Sequence, residues 1–208
     1  MVGSDRQKTY GNSIYPFNTE TRERVLAKIR ALPDSVDPRW GWNARRVLFF
    51  LYHTGCHPEV LVHPSTRHLA VREGRIVWAR PKTGQFIGLP IPDEIRPWVE
   101  EFIASLQETT VHRYSERSYT VKENGGEERT RQQDVCSLVI TKMVGALMDE
   151  WGFTGVTART FRHDKARRVF LVRKELADVR RYIGVTPEVA IRYAEDIDPE
   201  VEAALRKG

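Results

Sequence analysis

The chain has 208 residues, ample for one hydrophobic core and tight for two. Its 40% hydrophobic content excludes wholesale disorder, and no run of about 18 apolar residues offers a membrane span. The net charge of +5 and the isoelectric point near 9.3 point weakly to nucleic acid. The distribution is sharper: Glu195, Asp196, Asp198, Glu200 and Glu202 crowd into the tail, which leaves a more basic body, above all Arg159 to Lys174. Cys56 and Cys136 form no paired motif, so neither a disulfide framework nor a cysteine zinc site is indicated. Met1 to Tyr10 is polar, without an apolar signal-peptide core, and the expected location is cytoplasmic.

Residues 1–17 read as a polar lead-in, and 18–208 as one domain ending in the acidic tail 194–208. Asn18 or Thr19 caps a helix through Val25, Ile29 and Leu32 that ends near Pro33. Trp40 to Tyr52 reads as a second, strongly apolar helix. Gly55 and Pro58 then interrupt the chain, and Pro58 suits the first turn of a short helix. Leu69–Val71, Ile76–Ala79 and Phe86–Leu89 read as three short antiparallel strands, turned at Glu73-Gly74 and Lys82-Thr83-Gly84.

Pro92 opens a helix carrying Ile95, Trp98, Val99 and Phe102; Trp78 and Trp98 are expected in the core. Residues 107–133, with Asn124-Gly125-Gly126, read as a long mobile connection. A 3.6-residue stripe returns at Val135, Leu138, Val139, Ala146 and Leu147. Helices follow near 158–171 and 175–183, the second stopped by Gly184, and Thr186-Pro187 starts a short helix ending around Tyr193. The expected fold is mostly α with a small three-stranded antiparallel β-sheet.

Five features stand out in order: Thr54-Gly55-Cys56-His57 after an apolar helix, Lys82 in a hairpin turn, Arg159-Thr160-Phe161-Arg162-His163, Ile183-Gly184-Val185, and Tyr193. Their order, spacing and intervening elements, over roughly residues 18–200, resemble the catalytic domain of tyrosine recombinases and phage- or archaeal-type integrases. In that family a helix leads into Thr-Gly-x-Arg, a lysine sits on a β-hairpin, His-x-x-Arg opens a helix, Gly-His or Gly-Trp follows, and the tyrosine nucleophile comes last.

The resemblance implies Tyr193 as nucleophile, Lys82 as the hairpin lysine, Arg162 as the second arginine, Arg159 at the His or Lys position and His57 at the first arginine position. The residue types suit transesterification at a phosphodiester. A tyrosine oxygen attacks phosphorus and holds the strand as a phosphotyrosine. Forked guanidinium donors meet the spread negative charge of the transition state, and a lysine can protonate the leaving oxygen. No cofactor or metal is required. Arg159 and Arg162, three apart, share one helix face, and a helix start at Thr157–Arg159 turns its positive end toward a phosphate.

The chain departs from the family pattern at His57, which cannot make a bidentate phosphate contact, and at Val185, where valine can only pack. Arg45 or Arg46 is one source of compensation for His57, which itself reads equally as a phosphate ligand or a structural cap. Three readings therefore stand: a site-specific recombinase, a DNA-binding relative that does not cut, and a type IB topoisomerase-like nicking enzyme.

The expected partner is double-stranded DNA, held in part by Lys165, Arg167, Arg168, Arg173 and Lys174. The resemblance further implies a homo-oligomer on DNA, a tetramer coupled through the C-terminal segment, where Val201, Ala204 and Leu205 make a small apolar stripe. It also implies an N-terminal core-binding domain in the full recombinase. His53 and His57 stand four apart, but Gly55 and Pro58 break the helix a metal pair needs.

Overall fold

Helix α1, Thr19–Ala31, begins where the Asn18 side-chain oxygen accepts from Thr21 N at 2.8 Å. The computed structural model describes residues 17–62, 68–79, 84, 86–108, 116–122, 128–173, 175–187, 190 and 191. The core starts one residue before the expected domain boundary: Phe17 is buried, and its ring lies 5.9 Å from that of Phe161.

Helix α2 is Ala44–Thr54, shorter and later than the expected Trp40–Tyr52. Gly41 takes φ +68° and Asp37 pairs with Trp42 in a β-bridge, so the chain is still turning where apolar content alone reads as helix. Asn43 then caps α2 by accepting from Arg46 N at 3.0 Å. Its far end is set by Gly55 at φ +61°, a left-handed position open to glycine, whose N–H donates to Leu51 O at 2.8 Å. A 3-10 turn, Pro58–Leu61, follows.

Strands β1 (Ala70–Arg72), β2 (Arg75–Ala79) and β3 (Phe86–Pro90) form an antiparallel sheet in that order. Glu73 and Gly74 both take positive φ, as a two-residue type I′ hairpin requires. Ile76, Trp78, Ile87 and Leu89 alternate inward and are buried. A second 3-10 turn, Asp93–Ile95, leads into α3, Arg96–Glu108, where Trp98 is partly buried and stacks on Phe102 at 5.6 Å.

The expected connection over 107–133 contains a hairpin: β4 (Glu116–Lys122) pairs with β5 (Glu128–Asp134) in a separate two-stranded sheet. Sequence pattern misses it because β5 carries no apolar residue and β4 only Tyr119 and Val121, too little alternation to mark a strand pair. Helices α4 (Val135–Glu150), α5 (Ala158–Arg173) and α6 (Leu176–Ile183) follow, and Gly184 at φ +70° stops α6. Pro187, Ala190 and Ile191 are again helical, with Ala190 N donating to Thr186 O at 2.9 Å.

The main core joins α1 to α4 and the inner face of the three-stranded sheet around Phe50, Phe153 and Phe161, each about 1% exposed or less. Burying one such ring contributes roughly 1.5–3 kcal/mol. A smaller cluster, Ala166, Val179, Ile183 and Ala190, joins α5 to α6. The sequence expectation of a mostly helical chain with a small three-stranded antiparallel sheet holds.

Candidate active site

Three of the five sequence features meet at one guanidinium. Arg162, in the first turns of α5, donates through Nη1 to Gly55 O at 3.1 Å. Its Nη2 donates to Ile183 O at 2.8 Å and, more weakly, to Gly184 O at 3.4 Å. These carbonyls lie at the C-terminal ends of α2 and α6, where helices leave acceptors unsatisfied and a cation is favoured. The contacts span 107 and 21 residues of sequence, so Arg162 fixes the two turns relative to α5.

The turn after α2 is built to lie against α5. Thr54 is buried; its hydroxyl donates to Phe50 O at 2.8 Å and accepts from Cys56 N at 3.2 Å. A Cβ on Gly55 would sit 2.8 Å from Lys165 Cβ and 3.2 Å from Arg162 Cα. Only glycine combines this approach with the left-handed φ. Burial pushes the neighbouring Cys56 thiol up to about 11, so it stays a protonated core residue.

His57, at the position of the family's first arginine, is the cap of the 3-10 turn. Its side chain is 60% exposed, Nδ1 accepts from Glu59 N at 3.3 Å, and the Glu59 carboxylate lies 3.7 Å away. Arg46, one expected source of compensation for it, is engaged elsewhere. Arg46 is bound by Asp34 at 2.7 Å and Glu101 at 2.8 Å, at the opposite end of α2 from Gly55. The Arg46 guanidinium holds the Asp34 carboxyl down at about 2.

Helix α5 starts where expected. Thr157 N donates to Thr160 Oγ1 at 3.0 Å, and Thr160 N to Thr157 Oγ1 at 3.4 Å, a reciprocal closure of the first turn. Arg159 is exposed one turn before Arg162. His163 follows Arg162; burial of its ring and the charges of Arg159, Arg162 and Arg167 hold it down to about 4, so it is neutral at pH 7.

The expected DNA-contacting cations divide. Arg168 turns inward: it pairs with Asp164 at 2.8 Å, donates to Tyr52 O at 3.3 Å and lies 5.5 Å over the Tyr52 ring. Arg173 pairs with Asp178 at 2.8 Å. Lys165 presses its stem on Gly55, and burial, with Arg168 nearby, lowers its ammonium to about 8. Arg167 is half-buried on the face shared with His163. Lys82, Tyr193 and Lys174, like the tail 194–208, lie outside the described residues. Val185 packs on the small α5–α6 cluster.

Sequence reading missed Asp164. It is 4% exposed and clasped by Arg22 of α1 at 2.9 Å and Arg168 at 2.8 Å, the latter an ion pair without hydrogen-bond alignment. The Asp164–Arg168 spacing of four residues was a readable signal; the Arg22 contact, 142 residues away, was not. His53, half of the four-apart histidine pair, sits against the core. Its ring packs 4.4 Å from Phe49 and 5.1 Å from Tyr52, and burial, with Lys165, Arg168 and Arg30 around it, lowers it to about 4. Among the described residues no three His, Cys, Asp or Glu side chains converge on a metal-binding position, and no helix is long and apolar enough to cross a membrane.

No protein-family profile and no curated protein matches the sequence. Solved structures do match. The XerH site-specific recombinase in a post-cleavage complex with palindromic difH substrate is 18% identical with a TM-score of 0.59, over 90% of this chain and 51% of that one. The pre-cleavage XerH complex with difH gives 15% and 0.57, over 90% and 52%. The XerA recombinase gives 14% and 0.60, over 91% and 63%. The chain thus spans between half and two thirds of each of these proteins, and its fold is that of the tyrosine recombinase catalytic domain.

Proposed function

We propose that this chain is a site-specific recombinase or integrase domain that cleaves and rejoins double-stranded DNA through a 3′-phosphotyrosyl intermediate on Tyr193. The observation that carries the reading is the meeting of the Thr54-Gly55 turn and the Ile183-Gly184 turn on Arg162, on a fold shared with DNA-bound recombinases. The Tyr193 oxygen gives up its proton to water, attacks phosphorus, and the P–O5′ bond breaks. Lys82 gives its proton to the departing 5′ oxygen. Arg159 and Arg162 lie beside the developing charge, with the α5 N-terminus behind them. Rejoining is the reverse attack by a 5′ hydroxyl of the same or another strand. A tetramer on DNA, coupled through the C-terminal segment, and a cytoplasmic, nucleoid-associated setting complete this reading.

A second reading is a DNA-binding relative that does not cut. It is favoured by His57 serving as a turn cap and by Val185 packing on an apolar cluster, where the family places phosphate ligands. Incubation with a suicide DNA substrate separates the two. A covalent adduct that Tyr193→Phe abolishes, with affinity nearly unchanged, supports the enzyme; salt-sensitive binding without an adduct supports the second reading. Strand exchange between two sites, rather than nicking and resealing of one, distinguishes recombination from topoisomerase-like action.

A further inference from the structure

The outer face of the three-stranded sheet has no part in the chemistry above. Its inner residues belong to the core. The alternate residues stand outward in three cross-strand rows: Arg72, Arg75 and Pro90; Ala70, Val77 and Gly88; Ala79 and Phe86. At its centre Ala70, Val77 and Gly88 are half-buried, and the Arg75 side chain lies over Gly88, its Cδ 3.7 Å from where a Cβ would stand. Phe86 is 62% exposed, and its cross-strand neighbour Ala79 is too small to cover a ring.

The charge pattern is the informative part. Arg72 and Arg75 are directly opposite each other, and like charges so placed oppose strand pairing. Among the described residues neither pairs with a carboxylate, as Arg22, Arg39, Arg46, Arg168 and Arg173 do; Arg30, Arg45, Arg159 and Arg167 are likewise without one. A third guanidinium, Arg96, reaches the turn between them, 3.1 Å from where a Gly74 Cβ would stand, and takes Asp93 for itself. The Arg75 side chain lies over Gly88 of β3, its Nη1 3.8 Å from where a Cβ would stand, so Arg72 and Arg75 offer two separate cations to this face. From their row to the Phe86 row the sheet runs four residues, about 13 Å at roughly 3.3 Å each, over a floor of small side chains.

We infer that this outer sheet face is a further DNA-backbone contact, in which Arg72 and Arg75 meet the phosphate backbone and Phe86 packs on a sugar or base of the same strand. The inference rests on the reading that the chain binds DNA. Aromatic packing on a base or sugar is tolerant of sequence, and cations that track the backbone suit it.

The test is a salt titration of binding to a labelled DNA duplex, with the full chain, an Arg72→Gln/Arg75→Gln variant, an Arg72→Lys/Arg75→Lys variant and Phe86→Ser. Each phosphate contact adds about 0.9 to the logarithmic salt slope. The glutamine pair is expected to lower the slope by about that amount, the lysine pair to keep it, and Phe86→Ser to weaken binding several-fold at unchanged slope. Wild-type chain that binds DNA, with the same slope in the glutamine variant, overturns the inference and leaves the DNA reading standing. Wild-type chain that binds no DNA removes both. If the glutamine variant binds DNA like wild type but loses self-association in sedimentation, the face joins copies of the chain and the inference is again overturned.

Discussion

Arg162→Ala tests whether one side chain both assembles the site and serves it. The substitution removes two well-formed hydrogen bonds, at 3.1 Å to Gly55 O and 2.8 Å to Ile183 O, and a weak third at 3.4 Å. A hydrogen bond to a charged group contributes about 1.5–3 kcal/mol. Arg162 is only half-buried, so the lower end applies to each, giving a loss of about 3 kcal/mol. For a chain of 208 residues, each kcal/mol moves the midpoint by about 2–4 °C, so thermal unfolding should fall by roughly 6–12 °C. Arg162→Lys, with one ammonium in place of a fork, satisfies one carbonyl and should recover about half. If cleavage is observed in the wild type, the alanine variant should lose at least about 10²–10³ in rate, the usual effect of removing one transition-state donor. Thermal and urea unfolding measure the first quantity, and single-turnover cleavage the second. An alanine variant within about 0.5 kcal/mol of wild type, the range of ordinary surface changes, would refute the assignment of Arg162 as the tie between α2, α5 and α6.

Gly55→Ala should destabilise by about 1–3 kcal/mol, from the 2.8 Å clash with Lys165 Cβ and the left-handed φ; wild-type stability in urea would show that the turn does not lie against α5. Asp164→Asn leaves Arg22 and Arg168 without their carboxylate and should cost about 2–3 kcal/mol, below the full cost of breaking a buried pair because both arginines are partly exposed; Arg22→Gln should cost less, and the reverse order would contradict the clasp. His53 and His163 are each held down to about 4 from the ordinary 6.5. As pH falls, the unfolded chain takes up their protons first, so stability is retained above about 6.5 and lost progressively toward 4. Melting midpoints followed through that window should drop, and His53→Phe should flatten the decline; an equal drop in both proteins would clear His53 of the effect. The Asp34 carboxyl, held near 2, loses its contribution only below the ordinary carboxylate range, so the two effects separate on the pH axis.

Local chemistry carried much of this protein in its sequence. The Asn18 cap, the Glu73-Gly74 hairpin, the Gly55 and Gly184 stops and the Ala158 start of α5 each depend on one or two residues whose backbone preferences act without distant partners. Where the deciding interaction was non-local, or apolar alternation was too sparse, sequence pattern misjudged it. Trp40 to Trp42 looked like helix because they are apolar, but a bridge from Asp37 holds them in a turn. The β4–β5 hairpin has too little apolar alternation to announce it. The basic stretch after Arg159 supplies candidates for DNA contact by charge alone, since sequence records charge but not direction. Tertiary structure turned Arg168 toward Asp164 and Tyr52, paired Arg173 with Asp178 and, among the described residues, left Arg72 and Arg75 without a carboxylate. The family resemblance named Arg162; only the fold could bring Gly55 and Ile183, from two distant stretches of chain, to the same guanidinium, because that convergence is a property of how helices pack.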